Sequence, residues 1–362
     1  MNQYIPHLFL EIKNEKFIFL VTSYNEDLNL KILHQESINS TGIKDGEIYN
    51  LNDAAELIQN VVEKIEKKIN YVFKEVVLIY LQDNLSCINI SGFKKLKGTQ
   101  LLEEDIFFIL NNLKKIVLDN NTGKKLIHLF NSKYILDKRE VDNMPIGLHG
   151  DNYMHQLSFF LMPSNDIKNL KLILKKSSLH IKKIFLRSFI EGESKIKKLN
   201  FDLNLVQKKS FLNIQFEDKK SYVSYFYNGS YVLSQDFDFG TDIILSDVSK
   251  VCSLTMDTVK EIISEADFSK INKNEENIFL EKKFFKNDLF RKISISHINE
   301  IINARVSEII SLVYEDNTEL QFLKSKKNPI YLNFKNKSIM NSLKKNFLTN
   351  FPTENKLYFE NC

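Results

Sequence analysis

The stretch VVLIYLQDNLSCINIS, residues 76–91, with Met144-Pro145-Ile146-Gly147-Leu148 downstream of it, decides how this chain is read. Residues 76–81 form a β-rich run that passes through Asp83 and Asn84 into a second run at 86–91. Beyond it, Ile106, Ile109, Leu110, Leu113 and Val117 mark one face of a helix over 103–118, and strands are expected at 126–134 and 154–162. The Pro-Ile-Gly-Leu turn precedes the last of these. Residues 73–164 thus read as a compact α+β insert, held between two halves of a larger fold.

Toward the N-terminus, β-rich runs at 8–12, 17–23 and 28–35 alternate with polar turns and read as a three-stranded meander. Gly42, Asp45 and Gly46 break the chain, and Asn52 or Asp53 is expected to cap a helix with Leu57, Ile58, Val61, Ile65 and Ile69 on one face. After the insert, Ser164 or Asn165 caps a helix carrying Ile167, Leu170, Ile173 and Leu174, a strand follows at 181–186, and 195–200 reads as a polar junction. The meander then returns at 211–217, 222–227 and 230–237, an internal repeat. Helices at 241–251 and 256–265 lead to a charged irregular stretch at 270–292. A long helix at 296–315 carries Ile298, Ile301, Ile302, Val306, Ile309, Ile310 and Val313, and a strand at 330–334 and a helix at 338–347 complete the pattern.

Composition places the 362 residues among globular proteins of two ordinary domains, with 43% hydrophobic and 27% charged residues. Fifty Lys plus Arg against 46 Asp plus Glu leave a net charge of only +4, dispersed along the chain, which argues against nucleic acid as a partner. Cys87, Cys252 and Cys362 are far apart and read as two core thiols and a terminal one in a reducing cytoplasm. No run approaches the ~20 apolar residues of a membrane span, and residues 1–10 lack the features of an export signal. Ten glycines, about 3% against a usual ~7%, make any glycine-built loop suspect.

Two clusters invite a chemical reading. His149, Asp151 and His155 share parity in an extended segment and could converge on a metal, but a polar turn leading into a strand accounts for them. Asp236, Asp238 and Asp242 could hold magnesium, yet Asp242 falls in the first turn of a helix, where a carboxylate is favourable, and the others solvate a strand end. With no Ser-His-Asp or Cys-His motif in context, the expectation is no catalytic and no metal residues.

The order of elements resembles the FtsA family of actin-like cell-division proteins over most of the chain. The resemblance rests on the doubled meander, the insert with its Pro145-Ile146-Gly147-Leu148 turn, Gly42-Ile43-Lys44-Asp45-Gly46 before the first helix, Thr241-Asp242-Ile243 after the second meander, and Asn303-Ala304-Arg305-Val306-Ser307-Glu308 in the long helix. It implies an α/β, actin-like (ribonuclease H-like) fold of duplicated halves. Residues 1–82 and 164–199 would make the first half, 83–163 the strand-helix-strand insert, and 200–362 the second half, with a helical subdomain at about 246–315.

The family's phosphate turns fall on Glu11-Ile12-Lys13-Asn14-Glu15-Lys16 and on Gln215-Phe216-Glu217-Asp218-Lys219-Lys220-Ser221, and its adenosine-binding Gly-Gly pair falls near Asn333-Phe334-Lys335. Glu11, Lys16 and Gln215 are therefore vestigial cofactor positions. A phosphate cradle needs glycines so that backbone N–H groups can approach the oxygens, and bulky side chains remove that access. The expectation is a non-enzymatic scaffold with no cofactor, ATP being bound only if the vestigial site still works. Its partners would be the FtsZ C-terminal tail, other division proteins and further copies of itself, at the inner face of the cell membrane at the division site.

Arg305 and Glu308, three apart on the long helix, are either an intrahelical ion pair or, by the resemblance, part of the docking face for the FtsZ tail. The helix at 338–347 is read as core rather than as an amphipathic membrane foot, and because the chain ends soon after Pro352, membrane contact is expected to be lost or indirect. Two alternatives stand beside the scaffold: an actin-like ATPase that still binds ATP, and a PilM-type pilus-assembly adaptor.

Overall fold

The structure, a computed structural model, describes residues 5–13, 16–25, 29–44, 47–80, 85–201, 210–265, 278–286, 288–323, 328–352 and 354–361. The chain divides into two compact units, Met1–Asn204 with Gly229–Val232, and Leu205–Asn228 with Leu233–Cys362.

In the first unit, β1 (His7–Ile12), β2 (Lys16–Tyr24) and β3 (Leu30–Asn39) form the expected meander. A minor ribbon, β4 (Ile43–Lys44) and β5 (Glu47–Ile48), leads to α1 (Leu51–Ile69) and β6 (Glu75–Tyr80). The α1 cap is Asn50, whose side chain accepts from the N–H groups of Asn52 and Asp53, so the cap lies two or three residues before the positions expected. The insert comprises β7 (Ser86–Lys95), α2 (Glu103–Asp119), β8 (Lys124–Leu136), β9 (Arg139–Val141) and β10 (Asn152–Pro163). Next come α3 (Ser164–Lys175), β11 (His180–Leu186) and α4 (Arg187–Phe201).

The main sheet of this unit has the order β11-β6-β1-β2-β3, with β6 parallel to both β1 and β11. Helices α1 and α3 bury Ile58, Val61, Ile65, Ile167, Leu170 and Ile173 against Leu8, Leu10, Phe17, Phe19, Val76 and Leu78. Burying a side chain of this size is worth about 1.5–3 kcal/mol, so this contact secures the layer.

The insert has a sheet of its own, β7-β10-β8-β9. Ile106, Ile109, Leu113 and Val117 of α2 pack on Tyr153, Leu157, Phe159 and Leu161 of β10, which matches the helical face expected from their spacing. Gly147 has φ +81° and Leu148 donates to the Pro145 carbonyl at 3.2 Å. That is the geometry of a type II turn, which needs glycine at its third position. Gly147 also donates to the Leu101 carbonyl at 2.8 Å, tying the turn to the entry of α2.

The second unit repeats the first sheet. Its elements are β12 (Phe211–Phe216), β13 (Ser221–Tyr227), β14 (Ser230–Phe237), α5 (Thr241–Cys252), α6 (Met256–Glu265), α7 (Ile295–Ile310), β15 (Ile330–Phe334), α8 (Lys337–Asn350) and β16 (Leu357–Asn361). The order β14-β13-β12-β15-β16 mirrors β3-β2-β1-β6-β11, with β15 parallel to β12 and β16 parallel to β15. This doubled topology is the actin-like duplication.

Several local expectations need correction. Residues 195–200 are no junction but part of α4, which buries Ile196 and exposes Lys197 and Lys198. The long helix is regular only to Ile310, then widens into a π-type turn over Ser311–Glu315, where Ser311 Oγ bonds the Asp316 carboxylate. β16 has no counterpart in the reading of the sequence. In α8, Ile339, Leu343 and Phe347 are buried, as is Phe351 beyond it, so this helix is core, as expected. Asp45, Gly46, Asp83, Asn84 and residues 270–277 lie outside the described residues.

Candidate functional site

The first phosphate-turn position lies between β1 and β2. Glu11 is near the end of β1, Lys16 is exposed at the start of β2, and the Lys13 N–H donates to the Lys16 carbonyl at 2.9 Å. Asn14 and Glu15 lie outside the described residues. The Glu11 carboxylate stands 3.5 Å from Lys13 Nζ and 3.5 Å from Arg187 Nε. Arg187 opens α4, just past the end of β11, and it also donates to Glu191 at 2.7 Å. Its positive charge is thus answered by two carboxylates. Reading the sequence missed Arg187, because only the parallel alignment of β11, β6 and β1 brings it beside Glu11.

In the second unit the turn from β12 to β13 is closed by the Glu217 N–H donating to the Lys220 carbonyl at 2.9 Å. The Thr241 N–H donates to the Glu217 carbonyl at 2.9 Å and the Asp242 N–H to the Asp218 carbonyl at 2.8 Å. These are first-turn donors of α5, groups that at a free helix end would be available to an anion. Gly240 permits the approach: a Cβ there would lie 2.2 Å from the Glu217 carbonyl oxygen and 2.6 Å from that of Asp218.

Side chains around this turn carry both signs. Asp218 pairs with Lys335 Nζ at 2.6 Å, and Lys220 lies 3.6 Å from Asp238. Burial, then the neighbouring Asp218, pushes the Asp242 carboxyl above its ordinary range. Gln215 is buried, 3% exposed, and donates to the Glu217 carboxylate at 3.1 Å. Asn333, next in register on β15, donates to Asn213 at 2.6 Å. At this turn the first amides of α5 are engaged with backbone carbonyls, and the Asp218 carboxylate with Lys335.

On α7, Arg305 Nη1 donates to Glu308 at 2.6 Å, the intrahelical pair expected from the spacing. Its Nε also donates to Asp247 of α5 at 2.5 Å, which the sequence did not signal. These contacts hold the guanidinium above its ordinary pKa, Asp247 contributing most. Arg305 is therefore a clamp between two helices, while the Glu308 side chain is 56% exposed and faces outward.

His149, Asp151 and His155 do not converge. His155 is fully buried and bonds Asn131 at 2.9 Å, whereas His149 is exposed and bonds the Gly98 carbonyl at 2.9 Å. Among the described residues no group of three His, Cys, Asp or Glu side chains is placed to hold a metal. Also among them, no helix is long and apolar enough to cross a membrane.

No protein-family model matches the chain. Among solved structures, the PilM–PilN type IV pilus biogenesis complex is similar at a TM-score of 0.55 and 10% identity, over 99% of this chain and 88% of that one. With the duplicated sheets, this makes the protein one of the actin-like fold. Among curated proteins, the cell division protein FtsA of Buchnera aphidicola (Acyrthosiphon pisum strain) is 22% identical over 336 residues, 89% of this chain and 75% of that protein. FtsA of Neisseria meningitidis serogroup B is 19% identical over 304 residues, 84% and 72% of the two chains. Within the actin-like class, the chain is similar to these FtsA proteins over most of its length.

Proposed function

We propose that this protein is a non-enzymatic scaffold of cell division, acting at the inner face of the cell membrane and working by contact rather than by hydrolysis. The observation that carries this reading is the closure of the β12–β13 turn by α5. The amides of Thr241 and Asp242 bond backbone carbonyls, and the Asp242 carboxyl lies close enough to Asp218 to feel its charge. The kinship with FtsA supplies the cellular setting, with the FtsZ C-terminal tail and other division proteins as partners and membrane contact made indirectly.

The docking face for the tail is assigned to α7, with Glu308 as its exposed polar contact and Arg305 holding the helix in place. Calorimetric titration with Mg-ATP tests the loss of nucleotide; tight magnesium-dependent binding would restore the ATPase alternative. A pull-down comparing an FtsZ-tail peptide with the N-terminal peptide of a PilN protein separates the scaffold from a pilus adaptor. Retention of the tail, lost in Glu308→Lys, supports the reading; retention of the PilN peptide alone refutes it.

A further inference from the structure

Helix α3 has two faces. Ile167, Leu170, Ile173 and Leu174 are buried, while Lys168, Lys171, Leu172 and Lys175, at helical spacing, form the opposite stripe. That stripe walls a groove of about 640 Å³, completed by Ser178, Leu179, His180 and Ile181 at the start of β11. Its apolar part is real: Leu172 is 49% exposed beside buried Leu179 and half-buried Ile181. Nearby lysines outside the groove are engaged, Lys176 with Glu56 at 3.4 Å and Lys182 with Glu75 at 3.1 Å. Lys168 bonds only the Asn165 amide at 3.2 Å, and Lys171 and Lys175 have no carboxylate within ion-pair distance among the described residues. Among the described residues no acidic side chain lines the groove.

The floor of the groove is also an open strand edge. β11 is the last strand of its sheet and pairs only with β6 among the described residues. The His180 N–H donates inward to the Lys74 carbonyl at 2.8 Å. In a parallel pair alternate residues bond the neighbour, so Ile181, next after His180, turns its N–H to the open side; the register shifts between Ile181 and Lys183, which confines the regular open edge to this residue. A concave site with a cationic wall, an apolar floor and unpaired backbone matches one kind of ligand. It is an extended peptide that adds as a strand and alternates acidic with apolar residues.

We propose that the α3–β11 groove binds an acidic, strand-forming segment of a partner protein, which adds to β11 at Ile181 and pairs its carboxylates with Lys168, Lys171 and Lys175. The concavity favours a peptide over a membrane surface, which a convex lysine face would suit better. This site is independent of the α7 face and of the nucleotide question, so either can fail without the other.

The test is selection of random octapeptides displayed on phage against the full chain, followed by anisotropy titration of the enriched peptide carrying fluorescein. The expected result is enrichment of peptides alternating Asp or Glu with apolar residues. Their affinity should fall at least about tenfold in K171E/K175E, and should weaken between about 50 and about 300 mM NaCl as ionic screening requires. Hydrogen exchange at the Ile181 amide should slow on binding, which a purely electrostatic contact would not produce. Enrichment without acidic excess, or none above background, overturns the proposal. So does a peptide indifferent to K171E/K175E. Circular dichroism verifies the fold of that variant. Sedimentation with phosphatidylglycerol vesicles is the competing arm: lysine-dependent vesicle binding without peptide binding would make the groove a lipid site and refute the proposal.

Discussion

Acid should weaken this protein through two buried histidines. His155 is fully buried beneath α2, and its Nε2 is 2.9 Å from the Asn131 side-chain oxygen. That bond places the ring proton on Nε2, and Nδ1 is buried without a partner. Charging the ring would put a second proton where no acceptor waits. His128 is 8% exposed among Phe130, Phe185 and Phe189, and its Nε2 accepts the Leu186 N–H at 3.4 Å, which requires the neutral ring.

Burial depresses both histidines to about 4, with the Lys183 charge adding to the effect on His128. Because the folded pKa lies below the unfolded value of ~6.5, the unfolded chain takes up protons that the folded one refuses as pH falls from ~6.5 toward ~4. Stability is full above that window and is lost within it. At pH ~5 each ring costs about 2 kcal/mol relative to neutral pH, and the pair about 4. Urea denaturation followed by circular dichroism at pH ~7.5 and ~5 measures this in the wild type and in H128Q/H155Q. The double variant should lose about 4 kcal/mol less between the two pH values, other ionisations being common to both. Equal losses would refute the assignment of buried neutral histidines.

Other consequences follow from single contacts. Gly240→Ala drives a Cβ into the Glu217 and Asp218 carbonyls and should cost about 1–3 kcal/mol in thermal or urea unfolding. Asp242→Asn removes a carboxyl whose folded pKa is raised; it should raise the melting temperature near neutral pH and lose this advantage in acid, below the pKa of the native side chain. Asn333→Leu leaves the buried Asn213 amide without its 2.6 Å partner and should cost about 1–3 kcal/mol, read from urea midpoints. Asp105→Ala removes both the 2.8 Å pair with Lys94 and the bond from the Leu102 N–H at the start of α2, and should cost about 1 kcal/mol of stability.

The sequence made the architecture legible where periodicity was strong. The two meanders, the faces of α1, α2 and α3, and the Pro-Ile-Gly-Leu turn are local patterns, and each is found in the structure. β16 escaped notice because Leu357–Asn361 has little alternation of its own and becomes a strand by pairing with β15. Residues 195–200 misled for the opposite reason: a helix that exposes Lys197 and Lys198 beside a buried Ile196 looks like a polar linker.

Of the candidate site, the sequence showed which residue types stand at the two turns but not what they meet. Missing glycines could be counted in the sequence, whereas the closure of the turn by Thr241 and Asp242 and the pairing of Arg187 with Glu11 depend on elements that meet only after folding. Asp247 was missed likewise, since nothing local to α5 announces that it will face Arg305.

Contact without nucleotide stands or falls on the binding of an FtsZ C-terminal tail peptide, measured with and without liposomes and with and without Mg-ATP. Binding is expected in the absence of lipid, unchanged by Mg-ATP and abolished by Glu308→Lys. No binding to the tail under any of these conditions, or binding that appears only with Mg-ATP, would contradict it.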